Sequence, residues 1–412
     1  MIEPRQTDVL VLGGGMAGIA AAVTAARAGA SVALLERYGF LGGMASSALV
    51  GTICGAYYRS QKAAKLGVTG FPRELLEKIQ DRSDTAPQCY DEGLWFLPYD
   101  PAALRVTCDE ALAQNGIQLA LHSTAFKAEA RAEAVESLSC LIWDRPVAFR
   151  AKAFVDCSGE AIASTLLGLE TISDGPSQAA AYVCEISGVE YTDEKLFQRL
   201  LLREAIRAGE AGSLPKEAVR VSVVPGSLRE GRALLKLALR PTSEPNAESI
   251  TSLEQSSRSL LSALLEYLRR HVPELESLRL RSFASQVGVR TGRRPRGEEV
   301  LSREDVLTCR KRADAVAQGM WPIERWGEDR KPLLEYFPES DHYDISAACL
   351  RSRTLPNLFF AGRNISADDD AIASARVIGT CMSTGTAAGA LAAFHALGRT
   401  RDEAVELLAT KR

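Results

Sequence analysis

Three glycines near the start of the chain have residue types and spacing that suit a nucleotide pyrophosphate: Gly13, Gly15 and Gly18 follow the G-x-G-x-x-G pattern. Gly13 permits a tight turn, Gly15 lacks the Cβ that would block a phosphate, and Gly18 lets a helix pack closely on a strand. Met16 and Ala17 lie where a helix would begin, and there free N–H groups and the positive end of the helix dipole attract anions.

The elements that must position these glycines can be predicted on both sides of the pattern. Residues 8–12 are an apolar run typical of a buried parallel strand, and the alanine-rich helix that follows ends at Gly29. The segment SVALLE then forms a second strand, which ends at Glu36, where a carboxylate can accept a ribose hydroxyl proton. Glycines in such a turn can be purely structural, but the complete unit predicts dinucleotide binding.

Composition restricts the class of protein. The chain has 412 residues, 46% of them hydrophobic, and a net charge of −3, which predicts a two-domain globular protein that binds neither nucleic acid nor membrane surfaces. Uninterrupted apolar runs are too short for a membrane span, and no signal peptide is expected. Nine cysteines without a C-x-x-C pair do not indicate a disulfide scaffold, a zinc site or an iron–sulfur cluster. We therefore expect a cytoplasmic protein without a metal.

The residues after Glu36 favour FAD over NAD. Gly42 and Gly43, within ERYGFLGGMAS, lie just beyond the ribose-binding position, and a second glycine-marked strand, NLFFAGRNIS, occurs near the C-terminus. A long flavin dinucleotide needs contacts from distant segments, whereas an NAD-only dehydrogenase would leave the second strand without a purpose.

The chain resembles the FAD-dependent oxidoreductases of the two-dinucleotide-binding-domain flavoprotein superfamily, in the branch related to fumarate reductase flavoproteins. The resemblance rests on residues 9–43, 155–164, 287–306, 355–366 and 375–393. It implies non-covalent FAD, an α/β fold with a Rossmann-like domain of parallel sheet and β-meander, and an inserted α+β domain that covers the flavin. None of these stretches identifies a substrate.

The resemblance also implies a set of cofactor-binding residues beyond the first turn. They are Arg37, Gly42, Gly43, Met44, Ser158, Gly159, Gly362, Arg363, Thr380 and Cys381, in addition to Gly13, Gly15, Met16, Ala17, Gly18 and Glu36.

Some positions depart from the family pattern. The segment DCSGE has Ser158 and Glu160 where relatives usually read D-A-T-G-D, and Arg363 stands where many flavoproteins carry Asp. Asp369 occupies a position where relatives often carry His, which puts an acid–base role at that position in doubt.

Periodicity predicts how the rest of the chain is organised. We expect helices at 101–115, 193–212 and 249–270, a loop at 241–248, a strand at 179–189, and β-rich runs at 117–121, 135–142 and 147–156 that form the meander. A last helix should begin near Gly379. The predicted FAD-binding domain comprises 1–55, 100–172 and 345–412, and the substrate or cap domain comprises 56–99 and 173–344.

An arginine-rich segment offers candidate catalytic residues. Between Arg279 and Arg312 it has nine arginines and one lysine against four acidic residues, which usually indicates a solvated basic surface. Arg290 and Arg293 could instead bind a carboxylate or steady a flavin anion.

Histidine and cysteine add few candidates. His342 is the histidine best placed for acid–base work. His122 and His271 are expected to be structural, and His395 lies in the predicted last helix, far from its flavin-facing end. Cys54 is expected to be a small buried hydrophobic residue, with covalent flavin attachment or redox chemistry as the alternative.

These features together predict hydride transfer between a small organic substrate and flavin N5, with an unidentified electron acceptor and no nucleic-acid or membrane partner. The alternatives are a tRNA-binding flavoprotein, which the arginine segment would support, and a flavin electron-transfer subunit.

Overall fold

The computed structural model describes residues 4–173, 178–240, 246–328 and 331–410. The strands in these residues are β1 (Arg5–Leu12), β2 (Val32–Leu35), β3 (Thr52–Cys54), β4 (Tyr57–Tyr58), β5 (Lys65–Leu66), β6 (Gln88–Cys89), β7 (Trp95–Pro98), β8 (Gln118–Ala120), β9 (Ser123–Arg131), β10 (Ala134–Ile142), β11 (Arg145–Asp156), β12 (Thr171–Ile172), β13 (Ala181–Ser187), β14 (Val221–Val223), β15 (Arg232–Ala238), β16 (Arg279–Phe283), β17 (Arg294–Pro295), β18 (Ala315–Gly319), β19 (Ile323–Arg325), β20 (Leu333–Glu335), β21 (Tyr343–Ser346) and β22 (Leu358–Phe360). The α-helices are α1 (Met16–Arg27), α2 (Met44–Ser47), α3 (Phe71–Ser83), α4 (Pro101–Gln114), α5 (Ile162–Leu166), α6 (Glu194–Glu210), α7 (Ala247–His271), α8 (Arg303–Leu307), α9 (Asp369–Ala375), α10 (Ile378–Ala396) and α11 (Arg401–Ala409).

A seven-stranded sheet carries the first glycine turn. Strands β8, β2, β1 and β11 are parallel neighbours, and β22 pairs in parallel with the end of β11. In this register Val9 pairs with Val32 on one side and Ala153 on the other. Both faces of the sheet are covered, which explains the continuous apolar runs of β1 and β2.

The β-meander consists of β9, β10 and β11, which are antiparallel, so the predicted fold class is confirmed. The prediction of its strands was partly wrong. The run at 117–121 forms β8 and pairs in parallel with β2, while the first strand of the meander is β9. Most side chains of β9 are exposed, so its sequence, STAFKAEAR, lacks the apolar alternation on which strand prediction depends.

Helices α1 and α10 pack so closely that glycine is required on α10. A Cβ at Gly385 would lie 2.1 Å from the carbonyl oxygen of Ala17, and one at Gly389 would lie 2.2 Å from that of Ala21. The C-terminal part of the chain therefore completes the core around the first βα unit.

A second layer is built on the antiparallel sheet β14-β15-β13-β16. Helices α6 and α7 pack against it through apolar side chains such as Phe197, Leu201 and Leu264. This is the predicted inserted α+β unit, while the exact domain boundaries stay a prediction. Of the predicted loop at 241–248, residues 241–245 lie outside the described residues, and α7 begins at Ala247.

Within the described ranges, no single helix is long and apolar enough to cross a membrane. Helices α9 and α10 are long and apolar enough only when taken together, and they meet at a bend of 97°. In the same residues, no group of three or more His, Cys, Asp or Glu side chains could hold a metal ion, and all nine cysteines are free thiols.

Candidate cofactor and substrate site

The turn between β1 and α1 uses its three glycines in different ways. Gly13 has a φ of +101°, and a Cβ there would lie 2.5 Å from the carbonyl oxygen of Cys157. A Cβ at Gly18 would lie 1.8 Å from the carbonyl oxygen of Gly13, so both positions are fixed by the packing of the turn itself. A Cβ at Gly15 would meet only the Cα of Gly43, at 3.7 Å. Gly15 and Gly43 therefore leave a shallow cradle between two backbone segments.

The N-terminus of α1 adjoins this cradle and can bind an anion. Gly15 is the N-cap residue, and the first turn has neither a capping side chain nor an acidic residue. The N–H groups of Met16 and Ala17 therefore receive no side-chain acceptor and are suited to a pyrophosphate.

Glu36 lies at the end of β2, and only 4% of its surface is exposed. Its Oε2 accepts a hydrogen bond from the backbone N–H of Gly14 at 2.6 Å, and its Oε1 accepts one from that of Tyr38 at 2.9 Å. Burial raises the pKa of this carboxyl, while the two backbone bonds oppose that shift. Each carboxylate oxygen can accept a second bond, so a ribose hydroxyl could still be bound.

Gln286, within the arginine-rich segment, joins the inserted α+β unit to the segment that follows Glu36. Its Oε1 accepts hydrogen bonds from Arg37 Nη2 at 3.2 Å and from the hydroxyl of Tyr38. Its Nε2 lies 3.5 Å from the sulfur of Met44, and its backbone N–H donates to the carbonyl of Ser47. Arg37 and Met44, both predicted to bind the cofactor, therefore lie where the two layers meet.

A second turn, after β11, faces the same end of the sheet. Asp156 is buried and accepts hydrogen bonds from the backbone N–H groups of Ser158 and Ala163, both at less than 3 Å. Gly159 has a φ of +75°, and its N–H donates to Oδ1 of Asn364 at 3.1 Å. The predicted residues Ser158 and Gly159 are thus tied to the turn that follows β22.

Arg363, in the turn after β22, connects the turn after β11 to the arginine-rich segment. Its Nη2 donates to Oε1 of Glu160 at 2.6 Å, and its Nη1 donates to the carbonyl of Val289 at 3.0 Å. The neighbouring Gly362 donates its N–H to Oγ1 of Thr384 on α10, at 3.1 Å. The structure therefore brings Gly362 and Arg363 next to the segment that contains Arg290.

The N-terminus of α10 is prepared for a polar ligand. Its N-cap residue Val377 provides no side-chain hydrogen bond, and its first turn has no acidic residue. Oγ1 of Thr380 is buried and has no hydrogen-bond partner in the part of the chain that the structure describes. The thiol of Cys381 donates to the carbonyl of Arg376. A buried hydroxyl without a partner is costly unless a ligand satisfies it. Together with the cradle at Gly15, this orphan hydroxyl shows that the residues present fit FAD.

His342 is half-buried at the start of β21. Its Nε2 lies 2.9 Å from Nε2 of Gln318 and 3.5 Å from Oδ1 of Asp344, and its ring packs edge-on against Tyr58. Among the described residues, it forms no hydrogen bond with a predicted cofactor-binding residue. Its acid–base role stays a prediction.

Arg293 and Arg294 differ in their surroundings. Arg293 is exposed, whereas Arg294 is buried and donates to the carbonyl of Ala367 at 2.9 Å and to the carboxylate of Asp369. Asp369, which stands where relatives often carry His, is therefore one half of an ion pair. Among the described residues no contact of Arg293 bears on its predicted catalytic role, which stays a prediction.

Arg290 belongs to a group of three cations, which we call the cationic cluster: Lys236 on β15, Arg290, and Arg376 just before α10. The guanidinium carbon of Arg290 lies 4.4 Å from the ring centroid of Trp326, and Nζ of Lys236 lies 4.8 Å from the same centroid. Arg376 donates to the backbone carbonyl of Glu324 at 3.1 Å. These residues converge from four distant parts of the chain.

The charges in the cationic cluster are only partly balanced. Burial, followed by the charge of Arg290, lowers the pKa of Lys236 to about 8. Burial and the charge of Arg376 likewise lower the pKa of Arg290, and burial lowers that of Arg376. The carboxylate of Glu324 opposes all three shifts, yet its two oxygens already accept hydrogen bonds from the indoles of Trp321 and Trp326.

Sequence reasoning missed Lys236, Arg376, Glu324 and Trp326. One signal was available: Lys236 is the single charged residue within the otherwise apolar segment 233–239. A lysine in such a strand is costly to bury, so it marks a position where function rather than packing selects the residue.

Cys54, at the end of β3, lies near the cationic cluster. Burial raises the pKa of its thiol to about 12, with a further contribution from the charge of Glu324. The thiol is therefore protonated at neutral pH and a poor nucleophile.

Known protein families and solved structures include several to which this chain is similar. The family model described as FAD dependent oxidoreductase matches residues 8–410. No curated protein matched the chain. Among solved structures, BexE, which was studied for oxidation during BE-7585A biosynthesis, aligns with 98% of this chain and 65% of its own, with 12% identity and a TM-score of 0.53.

Other structures align over similar lengths with lower scores. A geranylgeranyl bacteriochlorophyll reductase-like protein from Thermoplasma acidophilum covers 99% of this chain and 83% of its own, with 13% identity and a TM-score of 0.49. OxyS anhydrotetracycline hydroxylase from Streptomyces rimosus covers 99% and 68%, with 14% identity and the same score. Because the family model spans nearly the whole sequence, the chain belongs to the FAD-dependent oxidoreductase family and is an enzyme that depends on FAD.

Proposed function

We propose that this enzyme transfers a hydride between a small organic substrate and non-covalently bound FAD. The observation that carries the proposal is the adjacency of the cationic cluster to the residues that would hold the flavin. Arg363 donates to the carbonyl of Val289, next to Arg290, and Arg376 directly precedes the N-cap residue of α10. A substrate held by the cluster would therefore lie beside the cofactor.

Each group of protein atoms has a role in this proposal. The bound cofactor supplies the hydride chemistry itself. The first turn of α10, with its uncapped N–H groups and the hydroxyl of Thr380, would stabilise negative charge that develops on the flavin. The N-terminus of α1 and Glu36 would hold the pyrophosphate and a ribose, and the cationic cluster would orient the substrate.

Non-covalent binding is supported by the state of the thiols near the site. Burial raises the pKa values of Cys54 and Cys381 to about 12, so neither is a ready thiolate. Acid precipitation of the purified yellow protein should release the flavin into the supernatant. Flavin that stays in the pellet would contradict this part of the proposal.

A small-molecule substrate is also favoured over RNA. In the arginine-rich segment, five of the nine arginines form ion pairs with carboxylates of the same chain: Arg294 with Asp369, Arg296 with Glu170, Arg303 with Glu335, Arg310 with Asp305, and Arg312 with Glu299. Their charges are therefore largely compensated, which argues against a phosphate-binding surface.

The test is anaerobic mixing of the FAD-loaded protein with a panel of small alcohols, amines and hydroxy acids. We expect at least one compound to bleach the flavin band near about 450 nm, and deuterium at its reacting carbon to slow the bleaching. Dithionite reduction is the control that the flavin can be reduced. Hydride transfer would be contradicted if dithionite bleaches the flavin but no compound of the panel does. It would also be contradicted if deuterium at the reacting carbon leaves the bleaching rate unchanged.

A further inference from the structure

The cationic cluster holds more positive charge than the protein around it compensates. Lys236, Arg290 and Arg376 bring three cations together, and Glu324 is the carboxylate that raises the pKa values of all three. Both carboxylate oxygens of Glu324 accept hydrogen bonds from indole N–H groups. Oε2 of Glu324 lies 3.9 Å from Nη2 of Arg376. Charges withdrawn from water are costly unless they are paired.

Two nitrogen atoms of the cluster still lack a partner. Among the described residues Nζ of Lys236 has no hydrogen bond or ion pair, and it packs over the ring face of Trp326. Nε of Arg376 is buried and likewise has no acceptor. Unsatisfied donors on two different elements at one place indicate an acceptor that comes from outside the chain.

Trp326 and Glu324 hold this arrangement in position. The indole N–H of Trp326 donates to Oε1 of Glu324 at 2.7 Å, which fixes the ring against which Lys236 and Arg290 both pack. The ring face attracts both cations, so their head groups stay close together although they repel each other.

We propose that Lys236, Arg290 and Arg376 form the binding site for a carboxylate group of the substrate. The inference rests on the proposed function, because it states which small molecules the enzyme would place beside its flavin. A planar guanidinium matches a carboxylate in a two-point contact, and an ammonium adds a third donor without a fixed direction. All three residues are half-buried, so the site suits a compact anion on a small molecule rather than the backbone of a polymer.

The direct test is calorimetric titration of the FAD-loaded protein with acetate, succinate and benzoate, each paired with its neutral amide. We expect at least one acid to bind at least about tenfold more tightly than its amide, and Lys236→Met and Arg290→Gln each to reduce that preference about tenfold. Arg232→Met, on the same strand as Lys236, and Arg281→Gln, in the arginine-rich segment, remove an exposed charge and should leave binding unchanged. Arg290→Lys keeps the charge and should retain part of the preference.

The outcomes separate this inference from the proposed function. The carboxylate site would be overturned if every acid bound no more tightly than its amide. It would also be overturned if Arg232→Met and Arg281→Gln reduced the preference for the acid as much as Lys236→Met does. Both results are independent of flavin reduction. Thermal unfolding and flavin content identify a variant that has lost its fold. If Lys236→Met or Arg290→Gln does so, the test is whether Arg290→Lys binds the acid with a smaller preference over its amide than the unchanged protein. The carboxylate site would be supported if an acid binds selectively and Lys236→Met loses that selectivity. If no substrate of the panel then transfers a hydride, only the proposed reaction is refuted.

Discussion

Gly385 on α10 faces the carbonyl oxygen of Ala17 on α1 at a distance that leaves no room for a methyl group. A Cβ at residue 385 would lie 2.1 Å from that oxygen and 2.8 Å from the carbonyl carbon. Both opposing atoms belong to the backbone, so they cannot move aside by a change of rotamer. The contact therefore couples α10 to the turn that would hold the pyrophosphate.

Gly385→Ala should destabilise the protein and weaken FAD binding. Relief of the contact requires α10 and α1 to separate, and overpacking of this kind costs about 1–3 kcal/mol, more than the gain in helix propensity. Urea unfolding of the FAD-free protein measures the loss. Gly209→Ala is the matched control, because a Cβ at Gly209 on α6 meets its nearest atom at 3.8 Å. Equal stability of both variants would show that the helices tolerate the methyl group.

Gly15→Val should abolish FAD binding while the protein stays folded. A Cβ at Gly15 would have only the Cα of Gly43 within 4 Å, so the substitution should cost the FAD-free fold little. The branched side chain would instead occupy the space of the pyrophosphate. Gly18→Ala should act differently and destabilise the fold, since its Cβ would lie 1.8 Å from the carbonyl oxygen of Gly13. Circular dichroism and flavin content distinguish the two; a folded, yellow Gly15→Val protein would refute the cradle.

Glu36→Ala should weaken FAD binding by roughly 1–3 kcal/mol, the usual effect of losing a hydrogen bond to a charged group. The change also leaves the N–H groups of Gly14 and Tyr38 without their acceptor, so the loop should become less stable. Glu36→Gln keeps a carbonyl acceptor, so its affinity for FAD should lie between that of the unchanged protein and that of Glu36→Ala. Quenching of flavin fluorescence during titration of the FAD-free protein gives the affinities, and an unchanged dissociation constant for Glu36→Ala would exclude a cofactor contact.

Carboxylate binding should weaken as the pH rises through about 8. The pKa of Lys236 is lowered to about 8, so its ammonium is present below that pH and is lost above it. The groups that face it are Arg290, Glu324 and Cys54. Cys54 has a pKa of about 12 and stays protonated, and the pKa of Arg290, lowered to about 9, lies above that of Lys236, so the inflection near pH 8 belongs to Lys236.

A bound carboxylate favours the ammonium, so the inflection should move above pH 8 in the complex. Titrations with the tightest-binding acid between pH 6.5 and about 9.5 test this sign. Lys236→Met should remove the inflection and Arg232→Met should retain it. Affinity that increases with pH would contradict the assignment to Lys236.

The first βα unit could be predicted from sequence because its determinants are local. The glycine spacing, the apolar strand and Glu36 all lie within one short segment, and each has a single physical explanation. The cationic cluster could not be predicted in this way. Lys236 and Arg376 come together only after the cap sheet packs on the FAD-binding layer, and no local pattern encodes that docking.

The arginine-rich segment shows a finer limit of sequence reasoning. Arg293 and Arg294 are adjacent, and consecutive side chains in extended chain point to opposite sides. The structure buries Arg294 against Asp369 and exposes Arg293, so a shift of one residue separates a structural ion pair from a free surface charge. Composition identifies the segment but cannot decide which of its arginines lies inside.

The order in which the chain is synthesised has a consequence for how this enzyme obtains its cofactor. Strand β1 and helix α1 are synthesised hundreds of residues before the helix that packs on α1 and before the strand β22 that extends its sheet. At ordinary translation rates this interval is on the order of tens of seconds, during which the apolar surface of α1 has no permanent cover. We expect FAD to be taken up only once α10 has docked, so limiting the vitamin precursor of FAD during expression should yield a folded, colourless protein that can be loaded afterwards.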